Sequence, residues 1–172
     1  NSTKTFRAPA SDQDRFVTIG NPGNPPDVDF SNGSGAQGTV NYIYQIGKYE
    51  VSNTEYAAFL NAKAKTDPNT LWDGGMKITR EGEDGSYTYT VQEGYEKSPV
   101  YFVAAVDAMR FINWLNNGGR EVSDTETGSY TFTGYNAVGP RNPGARIVLP
   151  NEEEWYKAAY FDADKPGAAP VS

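Results

Sequence analysis

Oxygen-bearing side chains carry most of the potential chemistry here, because the 172 residues include 22 Asp and Glu but no His and no Cys. Asp27-Val28-Asp29, followed by Asn32 and Ser34, sets oxygen donors at alternating positions of a glycine-rich loop, an arrangement that a hard cation such as calcium accepts. Gly33 falls one place late for an EF-hand and no distal glutamate follows, so a solvated turn is the simpler account. The same account covers Glu81-Glu83-Asp84, Asp124-Glu126 and Asp162-Asp164. Catalysis by Glu152-Glu153-Glu154 would need a carboxyl whose pKa burial or a neighbour has moved, whereas these three open a helix and suit its dipole and cap. Asp107, early in another helix, reads as a structural acid. Without imidazole or thiolate the chain cannot assemble a Ser-His-Asp triad, a Cys-His pair or the usual zinc, copper or non-haem iron site. No catalytic residue, metal ligand or cofactor is assigned.

Rings are the second resource. With 12 Tyr, 8 Phe and 3 Trp, flat side chains such as Tyr42, Tyr44, Tyr95 and Tyr101 could line a recognition surface at low entropic cost. Trp72, beside Asp73-Gly74-Gly75, together with Tyr87, Tyr89 and Trp155, forms the candidate ligand or partner surface. Asn1-Ser2-Thr3 and Asn32-Gly33-Ser34 fit the N-glycosylation acceptor.

The elements that must position these groups follow from periodicity and caps. Phe16–Ile19 reads as a strand stopped by Gly20, and residues 21–38 as a turn-rich loop. Val40, Tyr42, Tyr44 and Ile46 alternate as a half-buried strand does. Ser52 and Glu55 form a capping box for a helix with Tyr56, Phe59 and Leu60 on its apolar stripe. Residues 76–80 and 86–91 predict a surface hairpin. A second helix over Ala105–Asn116 carries Phe111, Ile112 and Leu115 and stops at Gly118-Gly119. Short strands are expected at 130–133 and 146–149. Asn151 caps a third helix whose Trp155, Ala158 and Ala159 are expected to face inward.

Composition narrows the partners. A formal net charge of −7 disfavours nucleic acid and anionic lipid, both of which need clustered Lys and Arg, and no apolar run is long enough to insert in a membrane. The start at Asn1 reads as that of a processed product or a fragment, with removal of a secretory signal as one ordinary route.

Three segments in fixed order, residues 46–56 (Ile-Gly-Lys-Tyr-Glu-Val-Ser-Asn-Thr-Glu-Tyr), 99–108 (Pro-Val-Tyr-Phe-Val-Ala-Ala-Val-Asp-Ala) and 149–156 (Leu-Pro-Asn-Glu-Glu-Glu-Trp-Tyr), resemble the sulfatase-modifying-factor family. Its best-known member is the formylglycine-generating enzyme, and its fold is a variant of the C-type lectin fold. The resemblance covers residues 16–160. The opening Phe16-Val17-Thr18-Ile19-Gly20-Asn21-Pro22 and the Gly-Ser-Tyr-Thr-Tyr-Thr-Val run from Gly85 look like the secreted bacterial branch. The resemblance implies an α+β, loop-rich domain at 16–161, with two to three helices against short antiparallel strands, an N-terminal arm at 1–15 and a Pro/Ala/Gly-rich tail at 162–172. Ala105 and Ile112 replace an aromatic and a frequent Cys, which affects packing. The half that carries the enzyme's copper-binding cysteines and calcium ligands has no counterpart here, so the chain reads as one piece of a longer or cleaved protein or as a shortened relative.

The expected function is a non-catalytic binding or assembly module, secreted or at the cell surface. Its partner is another protein, the downstream part of the same protein, or further copies in a homo-oligomeric assembly, because faces near Val148, Trp155 and Ala159 would otherwise leave apolar surface bare. The alternatives are the N-terminal fragment of a formylglycine-generating-type copper oxidase and a carbohydrate-binding module.

Overall fold

Two of the helix starts among the described residues are chemical events confined to four residues. In the helix Asn53–Lys63, the Ser52 hydroxyl accepts the Glu55 amide at 3.3 Å, while the Glu55 carboxylate accepts the Ser52 amide at 2.7 Å. The helix Glu152–Tyr160 begins the same way, with Asn151 accepting the Glu154 amide at 2.8 Å and Glu154 returning the bond at 2.7 Å. Each box satisfies two amides that would otherwise lack partners. Ser52→Ala should therefore lower stability by about 1 kcal/mol. A thermal melt checks this, and an unchanged midpoint would mean the box contributes nothing.

The computed structural model describes residues 15–28 and 36–162. The elements run β1 (Phe16–Ile19), β2 (Asp27–Val28), β3 (Ala36–Gln37), β4 (Tyr44–Gly47), α1 (Asn53–Lys63), β5 (Ile78–Glu81), β6 (Thr88–Val91), α2 (Ala105–Asn116) and α3 (Glu152–Tyr160). The expected N-terminal arm, save Arg15, the donors Asp29, Asn32 and Ser34, both glycosylation acceptors and the tail beyond Asp162 lie outside the described residues. The strands pair in three antiparallel ladders, β1 with β4, β2 with β3 and β5 with β6. Three helices and short antiparallel strands make an α+β fold. The chain divides into two compact units, Tyr49–Leu149 and a second made of Asn1–Lys48 with Pro150–Ser172.

The unit Tyr49–Leu149 holds the main core. Phe59, fully buried on α1, packs its ring 5.5 Å from Tyr56 and 5.4 Å from both Phe111 and Trp114, the last two on α2. Leu60, Leu71, Met76, Ile78, Tyr89 and Tyr130 close around these rings. The β5–β6 hairpin is not the surface ribbon expected from the sequence. Alternation turns Ile78 and Tyr89 into the core, and the Asn61 amide on α1 takes the role of a neighbouring strand, donating to the Tyr89 carbonyl at 2.8 Å and accepting the Tyr89 amide at 3.0 Å.

Two expected strands are absent, for a related reason. Residues 130–133 contribute only an isolated bridge between Phe132 and Val138, because the Tyr130 backbone is taken by the buried Asn113 side chain. Residues 146–149 form no strand. The Arg146 and Ile147 amides donate to Asn116 Oδ1, and the Leu149 amide donates to the Tyr130 hydroxyl. Side-chain oxygens have replaced a sheet partner.

In the other unit, β1 and β4 pair from Phe16 with Gly47 to Ile19 with Tyr44. The strand expected to start at Val40 begins only at Tyr44, since the Val40 carbonyl accepts the Gly23 amide and its own amide reaches Asn24 Oδ1. On α3 the expected inward face is found only in part, with Ala158 half-buried. Glu154 and Lys157 are buried, whereas Trp155 is 52% exposed and Ala159 is exposed. Polar partners explain the turn of the helix. Glu154 accepts the Tyr42 hydroxyl at 2.5 Å, and Lys157 Nζ donates to the Asn21 and Val40 carbonyls at 2.7 and 3.4 Å.

Candidate functional site

Within the unit Tyr49–Leu149, one surface combines strained backbone, exposed rings and a buried charge network. It is built from the 67–75 loop after α1, the 99–104 segment before α2 and the 126–138 loop after it.

The 67–75 loop is organised by Asp67. This residue is buried and left-handed at φ +42°, a conformation in which Asp is several-fold enriched. Its Oδ1 accepts the Leu71 amide at 2.6 Å, its Oδ2 accepts the Trp72 amide at 3.3 Å, and Arg80 Nη1 stands 3.6 Å from Oδ2. Tyr56 on α1 donates its hydroxyl to the Leu71 carbonyl at 3.0 Å. Thr70, also left-handed at φ +50°, has its hydroxyl 2.5 Å from that of Tyr135, and both reach the Asn69 carbonyl.

Beside this loop stands Phe102. Its φ is +62° and it is 63% exposed, so a bulky residue that disfavours this conformation holds it where burial offers little reward. Its ring lies over Gly75, where an added Cβ would come within 2.8 Å of Phe102 Cε2, and the Tyr101 ring is 5.3 Å away. The lack of a side chain at Gly75 lets the ring sit this close to the backbone.

Behind the surface, Arg110 on α2 is 1% exposed. Its Nε and Nη2 bind Glu126 at 2.9 and 3.3 Å, Nη2 donates to the Tyr135 carbonyl at 2.9 Å, and the guanidinium lies 4.2 Å from the Phe132 ring centroid. Nη1 has no hydrogen-bond partner among the described residues and sits 3.7 Å from Asp107. Burial raises the pKa of Asp107; Arg110 opposes the rise and the charge of Asp67 adds to it. Burial also raises that of Asp67, against the bonds from Leu71 and Trp72 and the charge of Arg80. Tyr56 is pushed far up, by burial and then by both carboxylates.

The rings singled out in the sequence fall differently. Trp72 donates Nε1 to the Ile78 carbonyl at 2.8 Å, and Arg80 stacks 4.2 Å from its ring centroid and 4.4 Å from that of Tyr87. These two rings thus meet on one guanidinium, which occupies faces that a sugar would need. Tyr89 is a core residue, 4% exposed, with its hydroxyl donating to the Ala64 carbonyl at 2.7 Å and its pKa pushed up to about 12 by burial and the charge of Asp67. Trp155 belongs to the other unit, where it is exposed and packs edge-on against Tyr160. Phe102, Asp67 and Arg110 were not singled out. Asp67-Pro68-Asn69 is a turn signal that marks the loop in the sequence, but no sequence signal marks a phenylalanine at positive φ.

Several residues of the acidic motifs take structural roles. Glu126 anchors Arg110. Asp124 accepts the Thr127 hydroxyl and the Glu126 amide, and these bonds hold its carboxyl below the usual range. Glu153 accepts the Gly38 and Thr39 amides at 2.5 and 3.0 Å. Among the described residues, no group of three or more His, Cys, Asp or Glu is placed to hold a metal ion. Among the described residues, no helix is long and apolar enough to cross a membrane.

The fold and the surface define an α+β domain that displays rings on braced loops. A family model described as a sulfatase-modifying factor enzyme 1-like domain matches residues 18–165, and the chain belongs to that family. No curated protein and no solved structure matches it. The thiolates of a formylglycine-generating copper site are missing from all 172 residues, so the side chains of this chain do not fit that cofactor.

Proposed function

We propose that this chain is a non-catalytic binding or assembly module on the C-type-lectin-like form of the family fold, working outside the cell. The observation that carries the reading is Phe102. Backbone strain of this kind persists where the surroundings over-determine it, and it clusters at sites of function. A ring presented largely to solvent is also the form of anchor that a partner pocket takes up at the centre of an interface. The partner is a protein, whether a later segment of the same polypeptide or another copy of the chain. The likeness of the opening segment and of the run from Gly85 to the secreted bacterial branch supports the extracellular setting.

The family description favours one alternative, an N-terminal portion of a formylglycine-generating-type oxidase that supplies only groove walls. One experiment with two arms separates them. Residues 1–172 should hold no stoichiometric copper and leave a sulfatase-type cysteine peptide unoxidised, while sedimenting in a concentration-dependent way. Phe102→Gly, which removes the strain of positive φ, should weaken that association without lowering the melting midpoint. Oxidation above a metal-free blank would sink the first reading. A lower midpoint with unchanged sedimentation would make Phe102 a structural residue.

A further inference from the structure

The β1–β4 ladder has two open edges, and its register fixes which backbone groups lie on them. One step beyond the Phe16–Gly47 pair, the Lys48 amide donates to the Arg15 carbonyl at 2.8 Å, so Arg15 and Lys48 are a hydrogen-bonding pair of this antiparallel ladder. Such pairs alternate with non-bonding ones. Val17 with Ile46 and Ile19 with Tyr44 therefore bond across the ladder, while Phe16 and Thr18 of β1, and Gln45 and Gly47 of β4, turn their amides and carbonyls outward. None of these four outward residues has a backbone partner beyond the ladder among the described residues.

The two edges differ in what guards them. β4 ends at Gly47 and is followed by Lys48, a glycine that weakens a strand and a charge of the kind that discourages further pairing. β1 has neither. Phe16-Val17-Thr18-Ile19 contains no charge, proline or glycine, each of its residues favours extended backbone, and Val17 and Thr18 are exposed. A ladder of only two strands is also marginal by itself and gains from further strands.

We propose that the β1 edge docks β1 of a second copy of this chain, antiparallel about a two-fold axis through Val17. In that register Phe16 exchanges both bonds with the partner's Thr18, and Thr18 with the partner's Phe16, so every outward amide and carbonyl of both strands is satisfied. Val17, 37% exposed, stands opposite the partner's Val17 in the closer, non-bonding pair, where two branched apolar side chains cover one another. Arg15 falls opposite the partner's Ile19, so the register opposes no like charges despite the net charge of −7. An uncharged edge offers a foreign strand no electrostatic selectivity, whereas its own sequence meets it with all bonds made and its apolar side chains matched. The two ladders become one four-stranded sheet in the order β4, β1, β1, β4. This seam lies in a different unit from Phe102 and does not depend on that ring.

A seam of four residues is short, so the pairing is weak and depends on concentration. Amide hydrogen exchange of the 172-residue chain reads it residue by residue. Protection at Phe16 and Thr18 should rise by about threefold or more when the chain is concentrated roughly a hundredfold, while Val17 and Ile19, already bonded within the ladder, change far less. Thr18→Pro removes one outward donor without touching a ladder bond and should abolish the rise at Phe16. If that variant does not fold, Val17→Lys, which sets two like charges face to face, should do the same. Phe102→Gly should leave the rise intact, which separates this seam from the surface proposed above. Protection at Phe16 and Thr18 that stays low at both concentrations, or is high at both because another segment of the same chain fills the edge, would overturn the proposal. So would a rise shared equally by Val17 and Ile19, or one that survives Val17→Lys.

Discussion

Arg110→Met should destabilise the protein by about 3 kcal/mol, the lower part of the range for breaking a buried ion pair by removing one partner. The guanidinium is 1% exposed and serves three acceptors, two Glu126 oxygens and the Tyr135 carbonyl, besides lying beside Asp107. Methionine fills similar space but leaves Asp107 buried without its cation. Glu126 is different, because its side chain is 42% exposed and water can take over, so its share of the loss is small. The loss should shrink on mild acidification, since a protonated Asp107 no longer needs a positive neighbour. Urea denaturation at two pH values measures this. A loss under about 1 kcal/mol, or one that grows on acidification, would show that the network does not hold α2 to the 126–138 loop.

Phe59→Ala should cost about 3–5 kcal/mol. Phe59 is fully buried and touches three further rings, so truncation removes transfer free energy and leaves a cavity walled by stiff aromatic side chains that collapse poorly. Phe59→Leu refills most of the volume and should cost less than half as much. The comparison separates cavity from chemistry in a single denaturation series. Equal losses in the two variants would mean that ring geometry, not volume, is what α1 and α2 require.

The parts legible in the sequence share a physical basis, which is that their causes are local. Ser52 with Glu55 and Asn151 with Glu154 act over one helical turn, so both starts could be read residue by residue. The end of α2 was legible for the same reason, with Gly118 and Gly119 at φ +104° and +64° supplying the left-handed stop. The hairpin was legible as a hairpin but not as core, because that depends on Asn61 reaching the Tyr89 backbone from 28 residues away. Of the candidate site, the loop at Asp67 and the rings Trp72 and Tyr87 were legible as places. Their engagement with Arg80 was not.

Long-range polar contacts decided the remainder. Hydropathy assigns Trp155 to the interior and Glu154 and Lys157 to water. The structure reverses this because Tyr42, 112 residues from Glu154, supplies a hydroxyl, and Asn21 and Val40 supply carbonyls to Lys157. Burial lowers the pKa of that lysine, which marks the expense of the arrangement. By itself the sequence determined the three family landmarks, the helix caps and the lack of thiol and imidazole, each a property of residues or of close neighbours. Only the tertiary structure decided which face of α3 turns inward, that Asp67 and Asp107 are both buried, and that Phe102 is held at positive φ over Gly75. Those outcomes depend on which distant donors and acceptors meet, and no local preference encodes that.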